Sequence, residues 1–196
     1  MITLKLNEFS GFNTMLLHIH APHKDANKID SKVLSHELGK MDTYWLNRAI
    51  ELGIPSLCYC TITATINAPL YWWVDLQRRC TNCTVSLTPL DLHEVDMSEF
   101  STEHMISEER LHLSELITHL NAEYETWMNN SCEDSFHTWH GMLPQCYMQS
   151  GVLTISLAEL KSLFDTHVTA TFNEWSGFFE ALDEQGMPLS EYVTGW

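Results

Sequence analysis

The chain has 196 residues, and its 10 Lys and Arg face 26 Asp and Glu, for a formal net charge of −16. Such a surface repels nucleic-acid phosphates and anionic headgroups, so neither a nucleic acid nor a membrane is expected as partner. With 44% hydrophobic residues and seven tryptophans, the composition excludes disorder and suits one domain with its own core.

The acidity itself has two readings. One is a solvated acidic surface; the other is a mimic of nucleic acid that occupies a basic partner. The carboxylates are scattered among apolar residues with no regular spacing, which favours the first. No apolar run reaches the roughly 18 residues that span a bilayer. The opening residues show no basic region followed by an apolar stretch, so no secretory signal is expected and a cytoplasmic location is the default.

Two apolar patches, residues 2–6 and 15–20, are separated by Ser10-Gly11 and Asn13-Thr14 and predict a short antiparallel pair. His18, His20 and His23 form an H-x-H-x-x-H series. On a strand the first two share a face, as metal ligands do, but no carboxylate pattern accompanies them. Residues 21–31 read as a polar loop. Over 31–52, Val33, Leu34, Leu38, Met41, Trp45 and Ala49 return at helical spacing, interrupted at Gly39 and stopped by Gly53-Ile54-Pro55.

Residues 56–67 alternate as a strand. Cys58, Cys60, Ile62, Ala64 and Ile66 form an apolar face, and Tyr59, Thr61, Thr63 and Thr65 a hydroxyl face. Pro69 then opens a helix, with Leu70, Trp73, Leu76 and Gln77 on one side and Tyr71, Asp75 and Arg78 on another. Residues 80–88, rich in hydroxyl and amide groups, form an irregular loop or short strand of the kind that takes ligands.

The cysteines are Cys58, Cys60, Cys80, Cys83, Cys132 and Cys146. Their C-x-C and C-x-x-C spacings match a four-thiolate zinc site in principle. Cys58 and Cys60, however, fall in an alternating strand where thiols pack as core, and no glycine knuckle surrounds Cys80 and Cys83. No metal is assigned.

Residues 88–102 read as an acidic connection. A long helix is predicted over 101–128, with Leu111, Leu113, Leu116, Ile117, Leu120, Tyr124 and Trp127 as its stripe. Either Ser107-Glu-Glu-Arg or Ser101-Thr-Glu-His would cap it, and Asn129-Asn130-Ser131 would end it. Residues 136–142 add helical turns before the break at Leu143-Pro144. A short strand is expected at 152–155 and one final helix over 156–182. Its apolar residues lie on several faces, which suggests burial between subunits as well as inside one.

The candidate site follows from residues 67–86. Tyr71, Trp72 and Trp73 precede Arg78-Arg79, the only Arg-Arg pair, and Thr84 and Ser86 come after. Aromatic rings stack a base, guanidinium forks neutralise a phosphate, and hydroxyls complete the grip. The competing reading makes Trp72 and Trp73 core and ties the arginines to surface or interface carboxylates.

Several stretches occur together: N-A-P-L-Y-W-W, Arg78-Arg79 with a following serine, L-P-x-x-Y at Leu143 to Tyr147, V-L-T-I-S-L-A-E-L and N-E-W at Asn173 to Trp175. In this the chain, from about residue 40 to 193, resembles the flavin-dependent thymidylate synthase superfamily, and more narrowly small phage and prophage relatives of unestablished role. The resemblance implies an α+β fold, an antiparallel sheet with long helices, in a homotetramer or other homo-oligomer. It also implies one domain over 1–196, with a variable part at 1–39 and the synthase-like core at 40–196.

In those enzymes an Arg-His-Arg signature and a later serine hold the phosphate of deoxyuridylate, and the His-Arg part meets the flavin. Here Gln77, Arg78 and Arg79 stand at the three positions and Ser86 at the serine. Where the family carries asparagine and arginines along its last strand and helix, this chain has Ser156, Ala158 and His167. Glu174 matches a family glutamate, and Ser176 replaces the arginine after it. Loss of these cations implies that flavin chemistry is gone.

The reading that results is a non-catalytic binder of a small nucleotide-like ligand through Tyr71, Trp72, Arg78, Arg79, Thr84 and Ser86, with no catalytic residue and no cofactor. By analogy, a phage would use it for anti-defence, sequestering a nucleotide immune signal. The alternatives are an active methyltransferase with FAD and an acidic interaction or inhibitor protein without a small ligand.

Overall fold

The computed structural model describes residues 2–11, 14, 55–131, 133–167 and 173–185. The expected strand at 15–20, the histidine series, the helix over 31–52 and Cys132 lie outside them. Among the described residues, strands β1 (Thr3–Ser10), β2 (Thr61–Pro69), β3 (Thr84–Leu87) and β4 (Met148–Ser156) form one antiparallel sheet in the order β1-β2-β4-β3. The helices are α1 (Leu70–Arg79), α2 (Ser107–Asn130), α3 (Glu133–Met142), α4 (Leu157–His167) and α5 (Glu174–Glu184). The α+β expectation holds.

The alternation in β2 sets the two faces of the sheet. Cys60, Ile62, Ala64, Ile66 and Ala68 are fully buried, and Ile62 and Ala64 pair with Ile155 and Leu153 of β4. The opposite face carries hydroxyls that bond across the strands, Thr63 to Thr154 at 3.0 Å and Ser10 to Thr61 at 2.8 Å. The strand starts later than its sequence pattern suggests. Pro55 fixes its own φ and opens a 3-10 turn, Pro55–Tyr59, which buries Leu57 and leaves Cys58 and Tyr59 exposed. Cys58 is therefore not core. β1 is longer than predicted and finds its partner in β2, with a bulge between Leu6 and Glu8.

α1 begins directly after Pro69, which ends β2 and has no side-chain cap to offer. Its first free amides are satisfied elsewhere: Leu70 N–H donates to the Tyr147 carbonyl and Tyr71 N–H to that of Gln145, both at 3.0 Å. The L-P-x-x-Y stretch thus supplies what a capping side chain otherwise would. Trp72, Trp73 and Leu76 are buried against the sheet together with Leu160, Leu163, Trp175 and Phe178 of α4 and α5. Leu70 turns instead to a second cluster built on Val95, Phe100, Leu113, Leu120, Trp139 and Tyr147, and Gln77 is exposed.

α2 starts at Ser107 rather than 101. The Glu109 carboxylate accepts from the Ile106 N–H at 3.0 Å, and the serine itself does not cap. The helix ends at Ser131, whose φ of 47° is the left-handed C-cap conformation. The single final helix expected over 156–182 is two. α4 ends at His167 and α5 begins at Glu174 after a turn at Asn173.

Candidate functional site

The fold separates the predicted site residues. Tyr71, Trp72 and Arg79 belong to the seam between α1 and α5. The Tyr71 hydroxyl donates to the Glu174 carboxylate, which is itself 9% exposed. Burial, followed by this bond to an anion, pushes the phenol well above its usual range. Trp72 is 0% exposed, its ring 5.1 Å from those of Trp73 and Trp175 and 5.3 Å from Phe178. No base can stack on it in this arrangement, and its role is packing.

Arg79 is held by Asp75, four residues earlier on α1, with Nε 2.7 Å from Oδ2. The same oxygen accepts from Trp175 Nε1 at 2.9 Å, and the guanidinium carbon lies 5.9 Å from the Trp175 ring centre. The second arginine of the pair therefore locks one helix to another. Arg78 is exposed on the last turn of α1. Thr84 and Ser86 are exposed on β3, on the face opposite Val85 and Leu87, which pack on the core.

A cavity of about 470 Å³ opens at the end of the sheet where β3, β4 and α4 meet. Thr61, Asn82, Thr84, Thr154 and Ser156 give it hydroxyl and amide groups, and Glu159 gives it a carboxylate. Asn82 Nδ2 donates to Glu159 Oε1 at 2.7 Å and Thr81 Oγ1 to the same oxygen at 3.3 Å. At the start of α4, Ser156 Oγ accepts from the Glu159 N–H at 3.2 Å, and the Leu157 N–H donates to the Cys60 carbonyl at 2.9 Å. Two amides of that helix end are thus already used.

Of the predicted residues only Thr84 lines this cavity. Asn82, Glu159 and Thr154 were not singled out in the sequence; only the hydroxyl- and amide-rich composition of 80–88 pointed here. A flavin dinucleotide carries a pyrophosphate, which needs cations or free helix-end amides. Among the described residues, the cavity presents Ala158 and Ser156 at the positions the resemblance indicates, no Lys or Arg, and one carboxylate. That donor set does not fit the group.

A smaller hollow of about 300 Å³ lies beside Asp91, His93, Tyr147 and Gln149. His93 Nε2 is 2.6 Å from Glu99 Oε2 and Nδ1 is 2.7 Å from the Asp91 carbonyl. The Tyr147 hydroxyl donates to the same glutamate oxygen at 3.4 Å. Burial opposes charging of the imidazole, but the Glu99 and Asp91 acceptors outweigh it and hold its pKa above the ordinary value. From its sequence alone this stretch reads as a plain acidic connection. No group of three or more His, Cys, Asp or Glu side chains among the described residues is placed to hold a metal ion. No described helix is long and apolar enough to cross a membrane.

No family model and no curated protein matches the chain. Solved structures do. Thymidylate synthase X from Helicobacter pylori with FAD and dUMP superposes with a TM-score of 0.70 at 12% identity over 98% of this chain and 97% of that one. A second structure of the Helicobacter pylori enzyme, complexed with FAD and dUMP, gives 0.66 at 12% identity over 97% and 96%. The UMP/dUMP methylase PolB from Streptomyces cacaoi, bound with 5-Br dUMP, gives 0.55 at 12% identity over 85% and 76%. At that identity the likeness is one of fold: the chain has the architecture of a flavin-dependent thymidylate synthase.

Proposed function

We propose that this protein binds a small nucleotide without turning it over, as a homo-oligomer. The observation that carries the reading is the cavity at the end of the sheet, in a fold whose solved relatives were captured with dUMP or 5-Br dUMP. Its volume of about 470 Å³ falls within the range of small-ligand sites, roughly 300–1,000 Å³. Its chemistry orients the ligand. The Glu159 carboxylate accepts hydrogen bonds and repels phosphate, so sugar hydroxyls or a base edge enter towards Thr61, Thr84, Thr154 and Glu159. The phosphate then stays outside the cavity; of the predicted residues, Arg78 and Ser86 are exposed and do not line it. Binding without turnover is what a phage protein needs to withdraw a nucleotide signal from host immunity.

The test is thermal unfolding of the full chain with UMP, dUMP and FAD, beside native mass spectrometry for subunit number and retained small molecules. A nucleotide at one hundred times its Kd stabilises the fold by about 2.7 kcal/mol, and Thr84→Val should weaken that gain. An unmoved melting temperature with every nucleotide would sink the proposal. A second reading, flavin-dependent methylation, draws on the FAD in the Helicobacter pylori structures. A yellow preparation bleached by a reduced nicotinamide cofactor would establish it instead.

A further inference from the structure

The C-x-x-C sequence at Cys80 to Cys83 has no part in the reading above, and its surroundings give it one. Cys80 caps the end of α1 and is 4% exposed, whereas Cys83 is half-buried directly before β3, after the bend at Thr81-Asn82. The Cys83 thiol donates to the Cys80 carbonyl at 3.7 Å, which brings its sulfur back towards the first cysteine of the pair. Both are free thiols, as are Cys58, Cys60 and Cys146. The intervening Thr81 and Asn82 are the two residues that hold Glu159 at the wall of the cavity.

We propose that Cys80 and Cys83 are a redox-active dithiol, oxidised by a low-molecular-weight disulfide such as oxidised glutathione to a bond that closes the Thr81-Asn82 loop. The proposal is independent of the nucleotide reading. Cys83, the more accessible sulfur, attacks one sulfur of the small disulfide and releases the first small thiol. Cys80 then attacks the Cys83 sulfur of the mixed disulfide and releases the second. Two protein thiols and one small disulfide become one protein disulfide and two small thiols, which carry the two protons away. The order follows from burial, which lifts the Cys80 thiol to about 12 and keeps it protonated. Cys83 therefore attacks first, and Cys80 follows once the mixed disulfide offers it an electrophilic sulfur with the small thiol as leaving group. Separation by only two residues makes the second step intramolecular, so closure outruns capture of another small thiol. Drawing the sulfurs together into a covalent bond of about 2.05 Å moves the loop, and with it Asn82 and the hold on Glu159.

The experiment equilibrates the full chain in glutathione redox buffers, quenches with acid, alkylates, and maps the peptides by mass spectrometry. The expected result is loss of two hydrogens on the peptide holding residues 80–83, at least about tenfold more abundant than any mixed disulfide there. Cys83→Ser should abolish it and Cys58→Ser should leave it unchanged. A stable glutathione adduct on Cys83 in the wild-type chain, or oxidation elsewhere with this peptide still reduced, overturns the proposal. The wild-type map decides even if a variant fails to fold.

Discussion

Trp72 shows how one residue type serves two opposite readings. An aromatic beside two arginines suits a base-stacking platform, yet this ring is fully buried among Trp73, Trp175 and Phe178. Trp72→Ala should therefore cost about 3–5 kcal/mol in urea unfolding, the range for emptying an aromatic core site. Trp72→Phe should cost much less, because the indole Nε1 it removes has no hydrogen-bond partner among the described residues. Tyr71 is different: its hydroxyl answers the Glu174 carboxylate, and Tyr71→Phe leaves that carboxylate short of a donor, at about 1–3 kcal/mol. The buried acids also set the alkaline limit. Burial raises Cys60 and Cys80 from 9.0 to about 12, burial and Glu99 raise Tyr147 from 10.0 to about 12, and Tyr71 is raised as well. The folded chain holds these protons more tightly than the unfolded one. Their contribution is complete below the ordinary thiol and phenol values and is lost as pH climbs through about 12. The urea midpoint should fall across that window, and less steeply in Tyr71→Phe.

Elements were legible where periodicity and a stop signal agreed. The β2 alternation and the Asn129-Asn130-Ser131 stop of α2 both appear as read. The boundary of β2 was not, because apolar alternation continues through a 3-10 turn whose cause is Pro55. α4 and α5 read as one helix for the same reason: both bury leucines and aromatics at helical spacing, and α5 begins after a turn at Asn173. Two glycines mark contacts between elements that pattern alone does not reveal. Gly11 has φ of +77°, and a Cβ there would lie 1.8 Å from the Tyr59 carbonyl oxygen. Gly11→Ala should cost more than about 2 kcal/mol through strain and displacement of the turn before β2. At Gly151 a Cβ would meet Leu87 Cδ2 at 2.9 Å and the Trp73 ring at 3.1 Å. That ring is pinned by its bond to the Gln149 carbonyl at 3.0 Å, so Gly151→Ala should cost about 1–3 kcal/mol. Chemical denaturation checks both.

At the scale of the molecule, two hydrophobic clusters meet along α1, and the 143–147 turn joins them by receiving its first amides. One sheet face is sealed by α1, α4 and α5 and the other keeps its hydroxyls, so the cavity falls at the sheet's end rather than beside the arginine pair. Nucleotide-dependent stabilisation should accordingly respond to Thr84 and Glu159. Asp75→Ala should instead lower stability by freeing Arg79 and Trp175, which isothermal titration and melting separate. The sequence by itself determined the class of fold, the buried face of β2 and the polar character of the 80–88 loop, since these depend on local alternation and side-chain chemistry. Tertiary structure alone decided which cations remain exposed and which are spent in packing. An arginine's partner is whatever carboxylate or ring the fold brings within reach, and spacing along the chain does not contain that distance.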